Sequence, residues 1–245
     1  MKNTAIIIPT RLGAKRFPNK PLAKINNLPM IIHVLNRAIE SKVGEVYVAT
    51  PDKEIFELVK KSGGKPILTK YDHFSGSDRV YEAYLKQIKN NVDIIINLQG
   101  DMPNIKPDSI LKLDEFMRSS KCDIGTLACE MDNNDEIFDP NIVKVSLDQV
   151  LKNNSFIEAK DFFRTKKDLN SEKIYHHCGV YSFTEIALAR YVKLPRSQLE
   201  KERNLEQMRA LENGMTIMVG KTNSMPLSVD TEKDLKKVSE EMKKI

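Results

Sequence analysis

The sequence predicts an α/β fold, a doubly wound and mostly parallel sheet with helices on both faces. Three observations predict it. Short β-rich apolar runs alternate with longer amphipathic stretches through the first half of the chain. The connections between them are short, and strand–helix–strand order over short connections gives parallel neighbours. The chain has 245 residues, 40% hydrophobic and 30% charged, which suffices to bury one large core without disulfide or metal staples.

Thr4–Pro9 (TAIIIP) reads as a buried strand that Pro9 ends. Residues 29–41 have helical periodicity, with Ile31, Val34, Leu35 and Ala38 on one stripe. Residues 45–49 (EVYVA) form a second strand. A helix over 52–62 takes Asp52 as its starting cap and stops at Gly63-Gly64. Lys65–Leu68 is a short third strand, and 77–89 is a helix with Ser77 as N-cap. Residues 92–97 (VDIIIN) form a fourth strand, and Pro107–Ser119 is a helix opened by Pro107-Asp108. The second half is less regular. Strands are expected at 124–130, 142–147, 178–183 and 216–219, and helices at 184–192, 199–213 and 231–243. With no internal repeat and no linker, 1–245 reads as a single domain with an inserted lobe around 131–195.

Composition excludes several classes. Net charge is +5, a mild excess. Lys233, Lys236, Lys237, Lys243 and Lys244 mix with Glu232, Glu240 and Glu241 in the last helix, which reads as a solvated face. No aromatic interleaving marks a nucleic-acid surface. The apolar run Ala5-Ile6-Ile7-Ile8 is too short for a signal peptide or a bilayer span, so a cytoplasmic location off the membrane is expected. Three cysteines, Cys122, Cys129 and Cys178, without a CxxC pair argue against a disulfide framework or a zinc ribbon.

Standard nucleotide fingerprints are absent. No Gly-x-Gly occurs, and Gly220-Lys221-Thr222 fails as a P-loop because position 215 is Met. Neither Gly-x-Ser-x-Gly nor His-Glu-x-x-His is present. His176 and His177 are adjacent on a strand and so point to opposite faces, a poor arrangement for holding one metal.

Other residues do carry chemistry. Arg11, Lys15, Arg16 and Lys20 crowd the loop that leaves the first strand at its carboxyl end, where ligands bind in open α/β sheets. Several cations on a loop there suit a polyphosphate; the plain alternative is a solvated surface loop. The fourth strand runs into Asn97-Leu98-Gln99-Gly100-Asp101, which puts a carboxylate just past a glycine. Mg²⁺ takes one or two carboxylates together with substrate phosphates; the alternative for Asp101 is a turn cap. Asp230 also follows a short apolar segment and precedes a helix, so it serves either as a second metal ligand or as that helix's N-cap.

Further segments complete a pattern. Ile7-Ile8-Pro9-x-Arg11 is followed by Lys20-Pro21-Leu22, Pro29-Met30-Ile31 and Tyr47-Val48-Ala49-Thr50. Then come Asp72-His73-Phe74-Ser75-Gly76-Ser77-Asp78-Arg79, Gln99-Gly100-Asp101 and Asp139-Pro140-Asn141-Ile142-Val143-Lys144-Val145. His177-x-Gly179-x-Tyr181, Leu205-Glu206-Gln207-x-Arg209 and Val229-Asp230-Thr231-x-x-Asp234-Leu235 close it. In this order they resemble the sugar-activating cytidylyltransferases that make CMP-3-deoxy-manno-octulosonate, the CMP-Kdo synthetases, across nearly the whole chain.

The resemblance implies a nucleotide-diphospho-sugar transferase-like fold and a reaction. The anomeric hydroxyl of Kdo attacks the α-phosphate of CTP and pyrophosphate leaves, giving CMP-Kdo for lipopolysaccharide synthesis. Arg11 and Lys20 would hold the CTP phosphates. Pro9, Ser75, Arg79 and Gln99 would line the cytidine pocket. Asp101 and Asp230 would hold Mg²⁺. His177, Glu206 and Gln207 would contact the sugar acid. The enzyme would be a cytoplasmic homodimer, with the 131–195 lobe supplying the dimer surface and part of the sugar site.

The chain departs from that family at defined places. Its usual Phe-Ser-Arg-x-x-Ile-Pro is replaced by 156–164 (FIEAKDFFR), leaving Arg164 or Lys160 to supply the missing charge. Met102 stands where an acid follows Gln-Gly-Asp, Arg203 where Glu is frequent, and Ser228 where Gly precedes the second aspartate. Changes at 156–164 and 203 fall in the sugar-binding part, so an 8-amino-3,8-dideoxy-manno-octulosonate is an alternative substrate. Another sugar-acid cytidylyltransferase and a non-catalytic nucleotide-sugar binding protein are the remaining alternatives.

Overall fold

The computed structural model describes residues 3–13, 16–89, 91–131, 134–165 and 173–243. In chain order the strands are β1 (Thr4–Pro9), β2 (Lys24–Ile25), β3 (Leu28–Pro29), β4 (Glu45–Thr50), β5 (Lys65–Leu68), β6 (Ile94–Asn97), β7 (Ile124–Cys129), β8 (Lys144–Leu147), β9 (Phe156–Phe163), β10 (Lys173–Thr184) and β11 (Ile217–Lys221). The helices are α1 (Met30–Glu40), α2 (Lys53–Lys61), α3 (Gly76–Gln87), α4 (Pro107–Ser119), α5 (Glu185–Lys193), α6 (Gln198–Arg203), α7 (Met208–Glu212) and α8 (Glu232–Glu241).

The main sheet runs β5-β4-β1-β6-β10-β7-β11-β9-β8. The first four strands are parallel, as the alternating pattern predicts. β10 then runs antiparallel to both β6 and β7, and β7–β11 is parallel again. β8 pairs with β10 as well as β9, so β7, β11, β9, β8 and β10 close a ring of pairings.

Side-chain alternation makes the two layers. On β1, Ile6 and Ile8 pack with Ile31 and Leu35 of α1, Ile55 of α2 and Leu113 of α4. Ala5 and Ile7 face the opposite way, with Val80 and Tyr84 of α3 and Leu188 of α5. β4 and β6 divide their residues between the same two clusters. That two-sided burial is why the parallel strands read as continuous apolar runs. A third, small cluster of Ile25, Met30, Val229 and Val238 seats α8 against the β2–β3 hairpin. The hairpin turns through Asn26 (φ 46°) and Asn27 (φ 69°), the left-handed pair that a two-residue hairpin loop requires.

The structure corrects several local expectations. Ser75, not Ser77, caps α3, in a reciprocal capping box with Asp78. Asp52 stands at the N-cap of α2, but its carboxylate accepts from the Leu12 backbone N–H at 2.8 Å instead of capping the helix. The expected 199–213 helix is broken into α6 and α7 by Asn204, whose φ of 52° ends α6 without glycine or proline to mark it. β9 lies where no strand was expected. Its exposed Glu158 and Lys160 flank buried Ala159, the alternation of an amphipathic strand.

Candidate active site

Three chain segments meet at one place. β1 ends at Pro9 and β6 at Asn97, neighbours in the sheet. Beyond β6, Gly100 passes so close to the first loop that a Cβ there would stand 3.1 Å from the Pro9 carbonyl oxygen. The third segment is 229–230. The Val229 N–H donates to the Asp101 carbonyl at 3.0 Å, and burial of Val229 against Ile25 and Met30 fixes its position.

Lys20 holds this junction together. It opens a 3-10 turn, Lys20–Leu22, after Asn19 at φ 57°. Its Nζ donates to Asp101 Oδ2 at 2.9 Å and to Asp230 Oδ1 at 3.3 Å. Arg16 reaches the other Asp230 oxygen at 3.0 Å. The Lys20 side chain is 14% exposed against 25% for Asp101 and 42% for Asp230, so both carboxylates open outward from a cationic floor. Thr231 takes the N-cap of α8, in a capping box with Asp234, which leaves the Asp230 carboxylate free of that duty. The two aspartates singled out in the sequence thus converge. Lys15 lies outside the described residues.

Beside the junction is an open cavity that includes Pro9, Arg11, Ser75, Arg79 and Gln99 in its wall. The α3 cap places Ser75 and Gly76 there. Gln99 donates to Asn97 at 3.0 Å, and Asn97 donates to Ser77 at 3.3 Å, which ties the β6 end to the start of α3. Arg79 is buried and donates to the Thr69 hydroxyl and the Lys70 carbonyl. Burial, and secondarily the neighbouring Arg11, hold its pKa below the usual guanidinium value. Two cations near one cavity make a field suited to an anion.

Two other pockets share wall residues with it or with each other. Phe74, Ser75 and Gly76 also border an open cleft that reaches Glu200, Glu206 and Arg209. Gln99 and Glu206 also line a narrow space with Tyr181, Tyr191 and Gln207. In that space Glu206 Oε1 is buried without a hydrogen-bond partner.

Of the remaining candidates, His73 is in the wall of the first cavity, and His177, Arg164, Lys160 and Arg203 lie apart from these walls. His177 is buried, within 3.0 Å of the Thr126 hydroxyl, with Phe162 and Tyr181 against its ring. Burial first, and His176 second, bring its pKa down to about 3, so the ring is neutral. Arg164 donates to the Pro140 and Asn141 carbonyls, and Lys160 pairs with Asp148 at 2.8 Å. Arg203 pairs with Asp161 at 2.5 Å and donates to the Phe162 carbonyl at 2.7 Å, so two departures of the sequence meet in one ion pair. His73 pairs with Glu82 on α3. Sequence reasoning missed the buried Glu200–Arg209 pair and Tyr191, since nothing in the spacing of α5, α6 and α7 shows that they meet. It also missed Arg16 as a partner of Asp230.

A cytidylyltransferase family model matches residues 5–217. The 3-deoxy-manno-octulosonate cytidylyltransferase of Brucella canis is 44% identical over 233 residues, 95% of this chain and 92% of its own length.

The chain belongs to the 3-deoxy-manno-octulosonate cytidylyltransferase family.

The Brucella anthropi member of that family is 43% identical over the same share of this chain. A solved CMP:2-keto-3-deoxy-manno-octonic acid synthetase, in complex with CTP, matches with a TM-score of 0.87 at 34% identity over 99% of both chains. A glucose-1-phosphate thymidylyltransferase from Bacillus anthracis, at 17% identity and a TM-score of 0.70, shares the fold. The α/β fold expected from the sequence is therefore the nucleotidyltransferase fold, although its sheet is mixed rather than mostly parallel because β8, β9 and β10 pair antiparallel. Among the described residues no helix is long and apolar enough to cross a membrane.

Proposed function

We propose that this cytidylyltransferase transfers CMP from CTP to 3-deoxy-manno-octulosonate and releases pyrophosphate, for lipopolysaccharide synthesis. The observation that carries the reading is the single ammonium, Lys20 Nζ, shared by Asp101 and Asp230. It puts two carboxylates around one cation beside the cavity walled by Arg11, Ser75, Arg79 and Gln99. Retention of Arg11, Lys20, Asp101 and Asp230 argues against a binding protein without turnover.

The donor set fits Mg²⁺. Two carboxylates already wrap a stand-in cation, and hard oxygen ligands from two acids plus substrate phosphates are what this ion takes. When bound, it would neutralise phosphate charge and favour ionisation of the sugar hydroxyl. The protein's own work is placement and neutralisation. Lys20 and Arg11 would face the phosphoryl oxygens and stabilise charge on the departing pyrophosphate. Pro9, Ser75, Arg79 and Gln99 would wall the cytidine. Glu206 and Gln207 would meet the sugar acid, with His177 bracing Tyr181 from behind and Arg164 acting at the lobe. A dedicated protein base is unnecessary in this scheme.

The same reading has the enzyme working in the cytoplasm as a homodimer. Sedimentation velocity tests the dimer.

A second reading has one observation behind it. The unpartnered Glu206 Oε1 suits an ammonium as well as a hydroxyl, so 8-amino-3,8-dideoxy-manno-octulosonate is the alternative acceptor. Pyrophosphate release from CTP with Kdo, its 8-amino form and a neuraminic acid, with and without EDTA, tests both. Turnover with Kdo that EDTA stops supports the proposal. Preference for the 8-amino acid replaces the substrate, and nucleotide binding without product from any acid overturns the function.

A further inference from the structure

We propose that Tyr191 and the Glu200–Arg209 ion pair are positioning residues that set Glu206 against the sugar acid. The inference rests on the Kdo cytidylyltransferase reading and adds the machinery that aims one of its side chains.

Glu206 sits on a two-helix elbow that propensity alone would not build. α6 ends at Asn204 in the left-handed conformation, and the Leu205 N–H turns back to the Glu200 carbonyl at 3.2 Å. Arg209 Nε and Nη2 each reach a Glu200 oxygen at 2.8 Å, a forked pair in which both residues are 3% exposed. Arg196 adds a third contact to Glu200 at 3.0 Å. A buried ion pair is weak evidence for stability, because desolvation offsets the attraction. What this one does is fix the angle between α6 and α7. The Arg209 guanidinium also lies 5.0 Å from the centre of the Tyr191 ring. The Tyr191 hydroxyl then donates to the Glu206 carbonyl at 2.8 Å. Glu206 is therefore clamped through its backbone from α5 and through its neighbours from within the elbow.

The clamped side chain is the one with an open valence. Glu206 Oε1 is buried without a partner and borders the cavity shared with Tyr181 and Gln207. A buried acceptor left unpaired is costly, so a rigid clamp that keeps it there makes sense if a ligand donor completes it.

The test is Tyr191→Phe, which keeps the ring over Arg209 and deletes only the bond to Glu206. Losing one positioning hydrogen bond should raise the sugar-acid KM about fivefold while the CTP KM stays put. In a Glu206→Gln background the same substitution should add nothing, because the group being positioned is already lost. Glu200→Gln, which keeps the shape but weakens the fork, should behave likewise, with its melting curve confirming the fold. An unchanged sugar-acid KM in Tyr191→Phe, or an equal rise in both backgrounds, overturns the positioning claim alone. A wild type inert toward every octulosonic acid overturns the function and this claim with it.

Discussion

Lys20 Nζ stands 2.9 Å from Asp101 Oδ2, and the same nitrogen reaches Asp230 across 210 residues of chain. One cation therefore balances two carboxylates that the proposed metal would need. Replacing it by a neutral side chain of similar length leaves the two acids facing each other, a repulsion that grows as the site is shielded from water. Lys20→Met should therefore gain thermal stability from added MgCl₂ without nucleotide, and gain more than wild type. Its kcat/KM should fall by about 10²-fold, the scale of losing one preorganised electrostatic partner. Equal melting shifts in the two proteins would count against the shared-cation account.

Asp101→Asn keeps the shape of the β6 end and removes one charge. Turnover should drop by about 10²–10³, again on the scale of one preorganised electrostatic group, in a CTP/Mg²⁺ assay with Kdo. Near-normal turnover would show that Asp101 holds no metal.

Gly100→Ala probes the approach of the two strand ends. The added methyl would meet the Pro9 carbonyl oxygen at 3.1 Å and Thr10 Cβ at 3.3 Å, so the first loop must give way. A stability loss of about 1–3 kcal/mol is expected from such overpacking, together with a higher CTP KM. Urea unfolding and a CTP titration check both, and an unchanged CTP KM would separate this contact from nucleotide binding.

Much of this was legible in the sequence, and the reasons differ by element. β1, β4 and β6 were readable because strands buried on both faces are continuous apolar runs. The acid pair was readable because each aspartate follows a strand-like segment at a predictable edge. The cap at Asp230 was ambiguous, since Thr231 next to it offers the same hydrogen bond, and the structure gives the cap to Thr231. β9 was hidden by its charged outward residues. The Glu200–Arg209 pair and its link to Tyr191 depend on a helix break at Asn204, where asparagine is a weaker stop signal than glycine. Arg203–Asp161 joins positions 42 residues apart, which spacing cannot reveal.

His177 makes stability depend on pH with a definite sign. Its folded-state pKa is held down to about 3 by burial, while the unfolded chain takes up the proton near 6.5. Between these values the unfolded state binds more protons, so stability falls as the pH falls. The slope should be about 1.4 kcal/mol per pH unit within that window. His177→Gln should be less stable at neutral pH yet lose less on acidification. Urea curves at pH 7 and pH 5 measure the difference, and parallel losses in both proteins would remove His177 as the cause.

The central claim is that an octulosonic acid attacks the α-phosphorus of CTP in a site built around Asp101, Asp230 and Lys20. Phosphorus NMR of the wild-type chain with CTP, Kdo and Mg²⁺ tests it most directly. The account predicts that the triphosphate signals give way to one sugar–nucleotide phosphodiester and one pyrophosphate. Appearance of CDP with inorganic phosphate, or a triphosphate left intact, would contradict it.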